Sequence, residues 1–134
     1  MNVGYVDTSG LVAVAFREPG HESVIARLGA LDVITSSNLL EAELRAALKR
    51  EGVAGQGTIL ARVAWLLPDR PLSAEIGEVL AAGYVRGADL WHLACALYLS
   101  PDPRELTFVT LDHHQAAIAE RLGFIVADAD PSGR

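Results

Sequence analysis

The feature that most restricts the fold is an alternation of short strand-like runs with longer stretches of helical periodicity, kept up along nearly the whole chain. Asn2–Val6 is a β-rich run that ends at Asp7, and Ser9–Phe16 is a compact apolar segment of one or two helical turns before Pro19-Gly20. His21–Leu31 sets Val24, Ile25, Leu28 and Leu31 at helical spacing. Asp32–Thr35 reads as a second strand, and Ser36 and Ser37 as N-caps of a helix that reaches Arg50 and stops before Gly52. A helix is expected over Gly57–Leu67, closed by Pro68-Asp69, then a short strand around Leu72 and a helix over Ser73–Gly83. After Gly87 come an almost wholly apolar helix, Ala88–Leu99, a loop at Pro101-Asp102-Pro103 and the strand Leu106–Leu111. The helix Asp112–Leu122 with Gly123 as its stop and a last strand, Phe124–Ala127, complete the pattern. Strands separated by helices of about 10–15 residues pair in parallel through right-handed crossovers. The expected fold is therefore α/β: a three-layer α/β/α sandwich around a central parallel sheet of roughly four to five strands. Residues 1–127 form the expected single domain and 128–134 a loose tail.

Composition agrees with one such domain. Of 134 residues, 51% are hydrophobic, enough for a core without disulfides or a structural metal. Cys95 is the single cysteine and has no internal partner. The longest apolar runs, Leu11–Phe16 and Leu93–Leu99, fall far short of the roughly 18–20 residues of a membrane span. The first residues, MNVGYVDTSG, lack the basic and long apolar regions of a signal peptide, so a cytoplasmic protein is expected. A net charge of −6 opposes a broadly basic surface that grips nucleic acid. It permits a site whose acids hold metal ions that in turn meet phosphate. Lys49 is the only lysine, so chemistry that needs one has a single candidate.

Ligands of parallel α/β sheets sit outside the carboxyl ends of the strands, which selects Asp7 and Asp112. On the Ser36–Arg50 helix, steps of about 100° place Leu39, Leu40, Ala46 and Ala47 around Glu43. Glu41 falls on the far side beside its i+4 partner Arg45, an ordinary solvated ion pair. An acid within an apolar stripe must be paired, with Arg50 for example, or protonated, or bound to metal. Asp89 is the only acid of Ala88–Leu99 and projects toward Leu93 and Ala96. Helix capping is the ordinary explanation of Asp7, Asp89 and Asp112 taken one at a time. Together with Glu43 they make a different proposition, because four converging carboxylates need protons or cations. Hard divalent ions with oxygen ligands, Mg²⁺ or Mn²⁺, suit them. Zinc does not, since His113 and His114 are adjacent and Cys95 lies within an apolar helix.

The segments YVDTSGLVAVAFREPG, ITSSNLLEAELRAALKR, RGADLWHLACAL and FVTLDHHQAAIAERLGF follow one another in this order. On these segments the chain resembles, over nearly its whole length, the PIN-domain ribonucleases, specifically the VapC-like toxins of type II toxin–antitoxin pairs. The resemblance implies catalytic and metal-binding roles for Asp7, Glu43, Asp89 and Asp112. It implies Mg²⁺, for which Mn²⁺ substitutes, and endonucleolytic cleavage of RNA to a 5′-phosphate and a 3′-hydroxyl. The implied partners are an RNA substrate, a cognate VapB-like antitoxin and a second copy in a homodimer, with no membrane. Thr8, Ser9 and Thr110 carry hydroxyls beside the acids and are candidates to orient water or phosphate. His114 occupies a position where many relatives carry a further acid, and surface placement at a helix start is its ordinary reading. His92 matches a common family histidine, read as a packing and hydrogen-bonding residue, and Trp91 replaces a smaller aliphatic. Single-stranded or looped RNA is the expected target, with Arg17, Arg50 and Arg86 as candidate backbone clamps.

Rival readings fit less well. A haloacid-dehalogenase-like phosphatase needs a second acid two residues after Asp7, where Ser9 stands, and a downstream lysine. A receiver domain needs an acidic pair at the first strand and a lysine at the last. An aspartic protease needs Asp-Thr-Gly, whereas this chain reads Asp-Thr-Ser-Gly. The alternative from another class is a catalytically inactive PIN-fold protein-interaction domain. An apolar helix at Gly57–Leu67 would offer a homodimer an interface, with core packing as its ordinary reading.

Overall fold

A computed structural model describes residues 1–53 and 60–126. Its four strands are β1 (Val3–Val6), β2 (Val33–Ser37), β3 (Val63–Leu66) and β4 (Leu106–Val109), all parallel, in the order β3-β2-β1-β4. Six helices of the described residues cover them: α1 (Thr8–Phe16), α2 (His21–Gly29), α3 (Asn38–Glu51), α4 (Ser73–Ala82), α5 (Gly87–Leu99) and α6 (His113–Leu122). The α/β/α sandwich with a parallel four-stranded centre is the expected fold.

Strand alternation divides the core in two. Val6, Ile34, Val63 and Val109 point to one face and pack with Leu11, Val24, Leu28, Leu40, Leu44 and Leu48 of α1–α3. Tyr5, Leu106 and Phe108 point to the other and pack with Val79, Leu93, Leu97 and Ile118 of α4–α6. Each such side chain contributes roughly 1.5–3 kcal/mol by its removal from water. Helix α5 is buried almost all round, from His92 to Leu97, which explains a sequence with no polar face. The first two crossovers step from β1 to β2 to β3 on one face, and the third returns past β1 to β4 on the other. The connections thus diverge between β1 and β4, a topological switch point, where open α/β sheets bind ligands.

Three expectations need correction. Val63–Leu66 is a strand, not the end of a helix: Val63 and Trp65 join the core on one face and Leu66 that on the other, a period of two. Residues 57–59 of that expected helix lie outside the described residues, and Leu60 and Ala61 are helical. Leu72 is buried just before α4 and belongs to no strand, and the described residues of the last strand, 124–126, make one bridge, Thr107 to Ile125, while Ala127 lies outside the described residues. The expected tail, 128–134, also lies outside the described residues.

Candidate active site

Asp7 follows β1 directly and is the N-cap of α1. Its Oδ1 accepts from Gly10 N at 2.9 Å and Ser9 Oγ at 2.8 Å, and its Oδ2 accepts from Thr110 Oγ1 at 2.5 Å. Gly10 is required here, since a Cβ would stand 2.7 Å from Val6 Cγ2. Only 1% of Asp7 is exposed. Burial pushes its carboxyl up to about 6, against the pull of the three hydrogen bonds, and the charge of Asp89 adds to the rise.

Asp112 repeats this arrangement beyond β4. It caps α6 by accepting from Gln115 N at 2.9 Å on Oδ1, and its own N–H donates to Thr110 Oγ1 at 3.0 Å. The Thr110 hydroxyl therefore joins the two strand-end acids, donating to one side chain and accepting from the backbone of the other. Ser9 Oγ adds a second tie between α1 and the β4 end, accepting from Leu111 N at 3.0 Å.

Asp89 lies in the first turn of α5, partly buried. Burial raises its pKa, the charge of Asp112 raises it further, and His114 lowers it. Gln115 Nε2 donates to the Asp89 carbonyl at 3.1 Å and so ties α5 to α6. Sequence reading passed over Gln115, which is wholly buried, although Asp112-His113-His114-Gln115 has the spacing of a helix capping box. His114 is exposed, as expected of a helix start, and its Nε2 donates to the Tyr84 carbonyl at 2.6 Å.

Glu43 departs from its expected surroundings. The buried stripe of α3 is Leu40, Leu44 and Leu48; Leu39 is 48% exposed, and Glu43 is exposed on the flank of that stripe. The wheel centred on the wrong apolar residues because alanines and a surface leucine carried equal weight with the leucines that reach the sheet. Glu41 forms its expected pair with Arg45 at 3.3 Å. It lines a surface hollow with Leu60 and Trp65, on the β3 side of α3. Glu43, on the opposite flank, looks toward the β1 side, where α1 packs against α3. Arg50 is not near Glu43 but pairs with Glu51 at the far end of α3, and Arg17 closes the far end of α1. Of the expected clamps, Arg86 alone stands within three residues of a candidate acid.

The remaining polar residues form a buried chain. Tyr5 Oη lies 2.6 Å from His92 Nδ1, and His92 Nε2 lies 2.8 Å from Thr8 Oγ1. Burial lowers the His92 pKa to about 4, so the ring is neutral at pH 7, in keeping with its expected packing role. Trp91 Nε1 donates to Ser37 Oγ at 3.0 Å, the same oxygen that caps α3. Cys95 is a buried free thiol, pushed up to about 12 by burial and inert as a nucleophile.

The fold thus joins Asp7 and Asp112 through Thr110 at the switch point, brings Asp89 within electrostatic reach of each, and sets Glu43 on a neighbouring helix. The donors are carboxylate oxygens, the set that hard divalent cations take. Among the described residues no three His, Cys, Asp or Glu side chains stand close enough to hold an ion between them. Burial is the larger cause of the raised pKa values of Asp7 and Asp89, and a neighbouring carboxylate adds to each, Asp89 for Asp7 and Asp112 for Asp89. No described helix is long and apolar enough to cross a membrane.

Comparison with curated proteins and with solved structures finds no match. The family model of the PIN domain matches residues 4–121, a span that runs from β1 through α6 and includes all four acids. The chain belongs to the PIN-domain family.

Proposed function

We propose that this protein is a metal-dependent endoribonuclease, the toxin of a toxin–antitoxin pair. PIN domains are generally nucleases and commonly use divalent ions such as Mg²⁺. The observation that carries the reading is the gathering of three acids where the sheet's crossovers diverge: Thr110 Oγ1 bridges Asp7 and Asp112, and the charge of Asp89 reaches Asp7. Asp7, Asp89, Asp112 and Glu43 are the residues to hold Mg²⁺ or Mn²⁺. When bound, the ion supplies activation of water and neutralisation of phosphate charge.

The chain's own residues do the positioning. Ser9 and Thr110 fix the Asp7 carboxylate before any ligand arrives. In this reading the Tyr5 phenol, kept protonated by burial, donates to His92 Nδ1. His92 Nε2–H then donates to Thr8 Oγ1, which leaves the Thr8 proton free for an oxygen in the pocket. His114 holds the loop before α5 and sits beside Asp89 as a supporting group. The protein acts in the cytoplasm on single-stranded or looped RNA, forms a homodimer, and is restrained by a VapB-like antitoxin whose basic side chains complement the acids. The lack of a ligating cluster among the described residues favours a second reading, a catalytically inactive PIN-fold interaction domain. Sequencing of RNA ends after incubation with Mg²⁺ decides between them. New 5′-phosphate ends with the unsubstituted chain and none with Asp89→Asn support the nuclease; no new ends from either supports the second reading.

A further inference from the structure

The segment that leads into α5 has the features of a built surface. It alternates: Gly83 turns inward, where a Cβ would collide with Ile118 of α6; Tyr84 turns out; Val85 is buried; Arg86 turns out. Two bonds from α6 pin it, Arg121 Nη1 to the Ala82 carbonyl at 3.2 Å and His114 Nε2 to the Tyr84 carbonyl at 2.6 Å. The segment is thus fastened on its inner side, and its outer side shows a tyrosine that is 71% exposed with an arginine two residues on. No carboxylate of the described residues pairs with the Arg86 guanidinium. Packing does not account for Tyr84, since its neighbours make the core contacts. Its location is informative: His114, which holds the Tyr84 carbonyl, is next to Gln115, which holds the Asp89 carbonyl, and Arg86 precedes Asp89 by three residues.

We propose that Tyr84 and Arg86 form the platform on which a single strand of RNA lies as it reaches the acids, Tyr84 stacking on a base and Arg86 pairing with a phosphate. This rests on the nuclease reading and gives it a strand path. A chain of net charge −6 with three carboxylates at one edge of the sheet repels a polyanion, so cations beside that edge are what let it approach. Stacking on an exposed aromatic tolerates any base, and a fixed aromatic–arginine pair suits an unpaired strand. A peptide partner would gain from the tyrosine but has no phosphate for the arginine.

The test is binding of a fluorescent single-stranded oligoribonucleotide to the full chain carrying Asp89→Asn, which keeps the probe intact, followed across a range of salt. Tyr84→Ala is expected to weaken binding roughly tenfold with the salt dependence unchanged, and Tyr84→Phe to restore it. Arg86→Ala is expected to lower the slope of log K against log salt by about 0.7, the value of one phosphate contact on a single strand, and Arg86→Lys to retain it. Unchanged binding by Tyr84→Ala, or an unchanged slope for Arg86→Ala, overturns the proposal and leaves the pair to a protein partner. No binding by the parent chain also overturns it. Cleavage assayed in parallel with Asp89 intact separates the two levels. Cleavage that ignores Tyr84 removes the platform alone, whereas Tyr84-dependent binding without cleavage removes the nuclease and leaves the platform.

Discussion

Asp7 and Asp112 stand at strand ends, Asp89 and Glu43 on helices, and the fold treats the two pairs differently. Each strand-end carboxylate accepts a hydrogen bond from a backbone N–H of the helix it opens, Gly10 for Asp7 and Gln115 for Asp112. Neither helix-borne carboxylate receives a hydrogen bond from any described residue. Capping and a site role are easily taken as rival explanations of a strand-end acid. Here they use different oxygens: Oδ1 makes the cap, while Oδ2 of Asp7 meets Thr110 and Oδ2 of Asp112 takes no donor of the described residues. The cap orients the carboxylate, so the strand-end pair is set by folding alone, whereas no described residue fixes the carboxylates of Asp89 and Glu43 by a hydrogen bond.

Separating cap from charge breaks the comparison most sharply. Asn caps a helix about as well as Asp. Asp112→Asn is therefore expected to keep its stability and to lose RNA cleavage by on the order of a hundred- to a thousandfold, the usual scale for one electrostatic contact in a reaction site. Asp112→Ala should lose cleavage equally and also about 1 kcal/mol of stability. Asp89→Asn should resemble Asp112→Asn, with stability changed by less than about 0.5 kcal/mol. Urea unfolding and a gel assay of RNA fragments, run on the same preparations, check all three. Equal loss of stability by Asp112→Asn and Asp112→Ala would show that Asp112 does not act as a cap.

A second prediction concerns pH. The Asp7 carboxyl rises from 3.8 to about 6 on folding, so between those values the folded state holds more protons and stability falls as pH rises. His92 drops from 6.5 to about 4, so over nearly the same window the unfolded state holds more protons and stability rises with pH. Each limb is on the order of 3 kcal/mol, and they offset one another. The unsubstituted chain should show little net dependence from these two groups between pH 4 and 6.5. Asp7→Asn should leave a stability that climbs with pH, and His92→Gln one that falls. Unfolding midpoints at several pH values read the slopes, and two substituted chains with slopes of the same sign would refute the opposition.

What the sequence disclosed follows the same division. Asp7 and Asp112 were legible because a residue after a parallel strand has a position fixed by topology, and the apolar α5 was legible because burial on all sides leaves no polar face. Glu43 was misplaced because three leucines, not an average of apolar residues, choose which side of α3 meets the sheet. Val63–Leu66 was taken for helix because a four-residue edge strand presents too few residues to show its period against the apolar residues before it. Gln115 and Tyr84 carried weaker signals. The first needed the capping-box spacing to be set against Asp89 on another helix, and the second needed a neighbouring helix to show which side of its loop is fastened.

The smallest effects, those of the two glutamates of α3, are read against the stabilisation by Mn²⁺. An ion that binds the folded chain alone adds about 2.7 kcal/mol at a hundred times its Kd, a rise of several degrees in melting temperature for a domain of this size. Asp7→Asn should abolish that rise, since it removes the charge of a proposed ligand. Glu41→Gln breaks only an exposed i,i+4 pair, so it should lower stability by less than about 0.5 kcal/mol and leave the Mn²⁺ shift intact. Glu43→Gln removes no hydrogen bond of the described residues and should not change stability in the absence of metal, yet it should reduce the Mn²⁺ shift. The two residues are two positions apart on one helix, equal in charge and on opposite flanks of the leucine stripe. Their difference therefore measures the direction in which α3 is turned, independently of any cleavage. If Glu41→Gln reduces the shift and Glu43→Gln does not, the ion lies on the β3 side of α3, and the site is not at the switch point.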